Sequence, residues 1–126
     1  MNLAILCVFL GGGVGAVLRF LVSWSLSGNA LFPWATLLVN VVGSLAIGVV
    51  AGMGQPHAWY HEWGRYLIVT GLLGGFTTFS AFSLETVALA EGGRFGVAVL
   101  YASASVALCL AAAWIGLRLS EQQLIG

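Results

Sequence analysis

Four long apolar runs, separated by short polar breaks, constrain this chain more than anything else in it. They extend from Leu3 to about Leu26, from Trp34 to Gly54, from about Glu62 to Glu91, and from about Phe95 to Leu119. Each is long enough to supply the ~20 residues with which an α-helix crosses a bilayer. Inside lipid a segment must satisfy its own backbone N–H and C=O groups, so runs of this kind become helices. A soluble domain of 126 residues could not cover its surface with four Arg and four Glu, which make up 6% of the chain. The expectation is an all-α, multi-pass membrane protein. Residues 1–126 form a single domain of four transmembrane helices, with both termini on one side.

The breaks carry the usual punctuation. Asn29 to Pro33 separates the first two runs, and Pro33 is placed to start a helix. Gln55–His61 is polar and contains Pro56; Gly92-Gly93 ends the third run, and Ser120–Gly126 is a short polar tail. Trp24 and Trp34 flank the first loop, and Trp59, Tyr60 and Trp63 flank the second, as residues of an interfacial belt do. The first run lacks a basic leader and is too long for a signal peptide. Net charge is zero, and no basic stripe suggests a nucleic-acid partner. Cys7 and Cys109 fall inside spans, where they pack as small apolar residues. With His57 and His61 in a loop, neither a disulfide nor a zinc site is expected. Arg65 and Arg118 lie on the terminal side; Arg94 and, deeper, Arg19 lie on the other. Two against two leaves the positive-inside rule undecided. Either weaker cues set the orientation or the chain inserts both ways, which would permit an antiparallel homodimer.

The third run is the least lipid-like. Its Gly71–Ser83 segment reads G-L-L-G-G-F-T-T-F-S-A-F-S. Gly-Gly followed by Thr-Thr suggests a helix that unwinds and restarts near its middle, freeing carbonyls for a hard cation. The alternative is an unbroken helix crossing, with its threonines bonded back to their own turn. Phe79 and Phe82 share a face with Ser83 and Thr86. Their ring edges carry positive charge and suit an anion path, although phenylalanines also simply fill cores. Asn40, with Gly43 and Ser44 on its face, can donate to an anion or to a neighbouring helix. Glu85, the only deep carboxylate, is a functional candidate by position. It would relay protons, pair with Arg19, or hold hydroxyls in place. Tyr101 and Ser105 put hydroxyls on one face of the fourth helix, which Cys109 and Ala113 continue with less polarity. Gly11/Gly15 and Gly48/Gly52 are close-approach pairs. No hydrolytic or redox constellation is present, so an enzyme is not expected.

At G-G-G-V-G-A-V-L-R (Gly11–Arg19), T-L-L-V-N (Thr36–Asn40) and G-L-L-G-G-F-T-T-F-S-A-F-S-L-E (Gly71–Glu85), the chain closely resembles the Fluc, or CrcB, family of fluoride channels. The resemblance covers essentially its whole length. It implies a dual-topology antiparallel homodimer with two pores that let cytoplasmic fluoride leave passively. It assigns Asn40, Phe79 and Phe82 to fluoride, with Ser80, Tyr101 and Ser105 along the pore. Arg19, Thr36, Thr78 and Glu85 become supporting polar residues. The backbone carbonyls of Gly74 and Thr77, from both subunits, would bind one central structural Na⁺. Many family members have hydroxyls where this chain has Cys109 and Ala113, so the far half of the path departs from the pattern. Weak donors such as amides and ring edges suit an ion that must both enter and leave. The runner-up is a proton-coupled exporter of the small multidrug-resistance kind; it needs a first-helix Glu, which is absent. A purely structural subunit would leave the hydroxyl-rich third run without a purpose.

Overall fold

The computed structural model describes residues 1–28 and 31–125, with side chains to Gln122; Asn29, the start of the first expected break, lies outside this range. Its regular structure is entirely helical. Helix α1 covers Asn2–Ser25 and α2 covers Trp34–Gly54. Helix α3 combines Tyr60–Leu73, with widened π-type hydrogen bonding, and an α-helical turn at Gly74–Phe76. After two extended residues α4 covers Phe79–Glu91, and α5 covers Phe95–Ile125. With α3 and α4 taken as one interrupted span, four segments are long and apolar enough to cross a membrane: Asn2–Ser25, Trp34–Gly54, Tyr60–Glu91 and Phe95–Gln122. The third is the least apolar of the four, as its glycines and hydroxyls require.

Helices pair where glycine lets backbones meet. A Cβ on Gly11 would collide with the Leu67 carbonyl, and one on Gly15 with the Leu72 carbonyl, so α1 lies directly on the backbone of α3. A Cβ on Gly48 would strike the Ala113 carbonyl, and one on Gly116 the Leu45 carbonyl, which seats α2 against α5 in the same way. Where lipid removes the hydrophobic drive between helices, such close van der Waals packing holds them together. π-type geometry usually occurs as a single-turn bulge, often near a functional site. Here it extends along the part of α3 that α1 approaches most closely.

Two boundaries differ from expectation. His61 is helical, its ring 2.8 Å from the Gln55 carbonyl oxygen. The polar tail is not a tail, because α5 continues through it to Ile125. Ser120 is buried against Gly52 and donates to the Gly116 carbonyl at 2.7 Å, so its hydroxyl is satisfied inside the helix pair. The helix break falls inside the glycine–threonine stretch that the sequence marked. Gly74 and Gly75 stay helical, and the chain unwinds two residues later, at Thr77 (φ −83, ψ 158) and Thr78 (φ −152, ψ 115). Gly75 is small for another reason: a Cβ there would meet the Gly12 carbonyl of α1.

Candidate functional site

The break sits where a partner exists for the exposed peptide groups. Asn40 of α2 accepts from the Thr78 N–H at 2.7 Å and donates its side-chain amide to the Thr78 carbonyl at 3.0 Å. An asparagine amide offers an acceptor and a donor side by side, so it pairs with an extended residue as a neighbouring strand would. The Thr78 hydroxyl then caps α4, accepting from the Ala81 N–H at 3.2 Å. Thr77 turns its own hydroxyl back to the Leu73 carbonyl at 2.9 Å. The two sequence alternatives are thus both partly realised: the helix does unwind, and one threonine does bond back.

These bonds leave carbonyls over. In an unbroken helix the Thr78 N–H would serve the Gly74 carbonyl and the Ala81 N–H the Thr77 carbonyl. Both donors are engaged elsewhere, by Asn40 and by the Thr78 hydroxyl. The Gly75 carbonyl, also released by the break, accepts from Arg19 Nε at 3.1 Å. Arg19 therefore supports the break from α1, and Glu85 takes different partners. The Glu85 carboxylate accepts from the Thr36 hydroxyl at 2.8 Å and from the Tyr101 hydroxyl at 2.7 Å. Of the three roles open to Glu85 in the sequence, holding hydroxyls is the one these contacts describe.

Aromatic rings run beside this carboxylate. Phe79 and Phe82 have centroids 5.3 Å apart at 49°, and Phe82 and Tyr101 are 5.3 Å apart at 54°. Phe32 closes the far end, meeting Tyr101 edge-on at 5.3 Å. Tyr101 is fully buried, so both its ring and its hydroxyl are fixed. The hydroxyls that the sequence places beside the phenylalanines serve their own helix: Ser83 donates to the Phe79 carbonyl and Thr86 to that of Phe82.

A cavity of about 390 Å³ opens between α2, the break and α5. Asn40, Thr77, Thr78 and Gly74 line it on one side, and Phe79, Phe82 and Ser105 line it on another. Ser105 is 5% exposed, and its hydroxyl has no hydrogen-bond partner among the described residues. Seven of the residues that the resemblance assigns to the pore, its polar support or the cation thus meet around one space. Thr36, Glu85 and Tyr101 stand behind Phe82, and Arg19 stands behind Gly75. Ser80 lies apart: it is exposed and shares a 3.3 Å contact with the Thr78 hydroxyl. Sequence reasoning missed the Arg19–Gly75 contact, the edge-on Phe32 and the double clasp of Asn40. The last had a signal, a lone membrane asparagine one span away from a Thr-Thr pair in a helix.

Fold and site together define a four-span membrane protein whose third span is interrupted beside a partly polar cavity. Residues 6–117 match the family model described as CrcB-like protein, Camphor Resistance (CrcB). The chain belongs to that family. It is 47% identical over 119 residues to a protein of Novosphingobium aromaticivorans, covering 87% of this chain and 90% of the relative. It is 48% identical over 120 residues to one of Rhodospirillum centenum, covering 91% and 93%. A third relative, from Agrobacterium fabrum, is 42% identical over 123 residues, covering 96% and 97%. All three are named fluoride-specific ion channel FluC.

Proposed function

We propose that this chain is a fluoride-selective passive channel of the bacterial plasma membrane. The observation that carries the reading is the meeting of Asn40, Phe79, Phe82 and the unpaired Ser105 hydroxyl around one cavity. Fluoride is small and strongly hydrated, so a path must replace its water with donors that are close but individually weak. The Asn40 amide nitrogen carries two hydrogens, and one serves the Thr78 carbonyl. The second remains for an anion. Phe79 and Phe82 contribute positive ring edges, and Ser105 contributes an O–H with no competing acceptor among the described residues. None of these groups has a full charge that would trap the ion. Tyr101, Thr36 and Glu85 hold the Phe82 side of the path in register. The names of the curated relatives point to the same ion.

The working unit in this reading is an antiparallel homodimer. In a single chain Phe79 is 77% exposed and Leu84 72% exposed, and a second copy would cover that face. The same pairing would bring the Gly74 and Thr77 carbonyls of both copies together. Oxygen donors without their helical N–H partners fit a hard cation, which supports a structural Na⁺ at the dimer axis. Sodium would supply only charge to hold those carbonyls; it takes no part in conduction.

Liposomes containing the purified protein test the proposal. Fluoride efflux well above chloride efflux is expected, lost when Phe79→Ile and Phe82→Ile are combined. Equal efflux of the two halides overturns the selective-channel reading. Replacing Na⁺ with a large organic cation should reduce both flux and dimer content; if neither changes, the cation assignment is wrong.

A further inference from the structure

Cys109 lies on the cavity wall one turn beyond Ser105 on α5, half-buried and free. The only other cysteine, Cys7, is a buried free thiol on α1 and does not line this space. A thiol on a wall is not by itself a site. The neighbouring Ser105 supplies a second observation: a hydroxyl 95% buried in the same wall, with no partner among the described residues, points to something entering the cavity. Whatever reaches Ser105 shares the cavity with Cys109.

We propose that Cys109 is a thiol-modification site inside the cavity, where a small neutral disulfide-forming electrophile attaches and closes the anion path. Closure rests on the channel reading above; attachment does not. The cavity holds about 390 Å³, enough to admit a methylthio group but shared with Asn40, Phe79 and Phe82, so an added group competes with the ion for the same space. In the reaction the Cys109 thiolate attacks the sulfenyl sulfur of a methanethiosulfonate. A new S–S bond forms, and the S–SO₂ bond breaks. Methanesulfinate leaves with the electron pair, and the thiol proton passes to water. A dithiol reductant reverses the step by exchange.

Methyl methanethiosulfonate on the full-length protein in liposomes decides the matter. Peptide mass mapping should find one methylthio group per chain, on Cys109 and not on Cys7. Fluoride efflux should fall at least five-fold on treatment and return after dithiothreitol. Cys7→Ser should keep that treated-to-untreated ratio, and Cys109→Ser should lose it whatever its own flux. Modification of Cys7 alone, or no modification, overturns the site. Complete modification of Cys109 with unchanged efflux overturns closure. If the untreated protein passes no fluoride, the channel reading and closure fail together, and the mass shift still decides whether Cys109 is the accessible thiol.

Discussion

The two halves of the third span are built by opposite means. Upstream of the break, Tyr60, Gly64, Gly71 and Leu73 are buried and α3 lies against the backbone of α1. Downstream, α4 has no buried residue at all. It is held at points: the Thr78 cap clasped by Asn40, the Glu85 carboxylate between two hydroxyls, and Phe82 against Tyr101. Continuous close packing makes the first half a scaffold. A few polar and aromatic contacts leave the second half open on one face, and that half carries both proposed ring-edge contacts, Phe79 and Phe82. Substitutions in the first half should therefore act on folding, and those in the second on flux.

The largest expected effect tests the scaffold. A Cβ on Gly15 would collide with the Leu72 carbonyl and lie 2.8 Å from the Phe76 N, so neither neighbour can yield by rotating a side chain. Gly15→Leu should drive α1 off α3 and reduce monodisperse protein in detergent by more than ten-fold. Ser80→Ala, at an exposed position downstream of the break, should purify like the parent chain. Equal yields from the two variants would mean that α1 does not depend on this contact, and the contrast between the halves would collapse.

A middle-sized effect is expected at the hinge between them. Asn40→Ala leaves the Thr78 N–H and C=O without their partners, a cost of about 1–3 kcal/mol for each orphaned group. Membrane chains often find substitute partners, which lowers the net loss towards about 1 kcal/mol. Thermal unfolding in detergent should show a modest loss of stability, while fluoride efflux falls at least ten-fold. Asn40→Asp separates the two roles. A neutral carboxyl keeps an acceptor for the Thr78 N–H and one O–H for the Thr78 carbonyl, but has no second donor for the cavity. Stability should partly recover, and flux should not. Recovery of both would assign Asn40 to structure alone.

The number of spans could be read from the sequence because it depends on run length and charge, which are local. The close-approach role of Gly11 and Gly15 was legible for a similar reason: spacing puts them on one helix face. Where α3 unwinds was not legible to the residue. Within Gly74–Thr78, Gly75 is small because α1 lies on it, and unwinding waits for the position Asn40 can reach. That is a fact about two helices, and neither run contains it. Ser120 teaches the same lesson in reverse. Its polarity suggested a tail, and only its seat against Gly52 shows why α5 continues. The cavity gathers Asn40, Phe79, Phe82 and Ser105 from three helices, whereas Arg19 and Glu85 found partners that no spacing rule links.

The smallest effect separates the polar contacts of the downstream half from its aromatic ones. Tyr101→Phe removes the hydroxyl that donates to Glu85 and keeps the ring between Phe82 and Phe32. Thr36 still holds the other carboxylate oxygen. One hydrogen bond among several is worth about 1 kcal/mol, so fluoride efflux should fall only two- to three-fold. Tyr101→Ile removes the ring as well and should cost clearly more, because Phe82 then loses the surface that fixes its edge. Thr36→Val combined with Tyr101→Phe should cost more than the two losses summed, since both hydroxyls hold the same carboxylate and neither can replace the other once both are gone. Additive losses would mean that each hydroxyl acts alone. In that case Glu85 would be an acceptor they happen to share, and what keeps Phe82 in place on the open half of the span would be the Tyr101 ring.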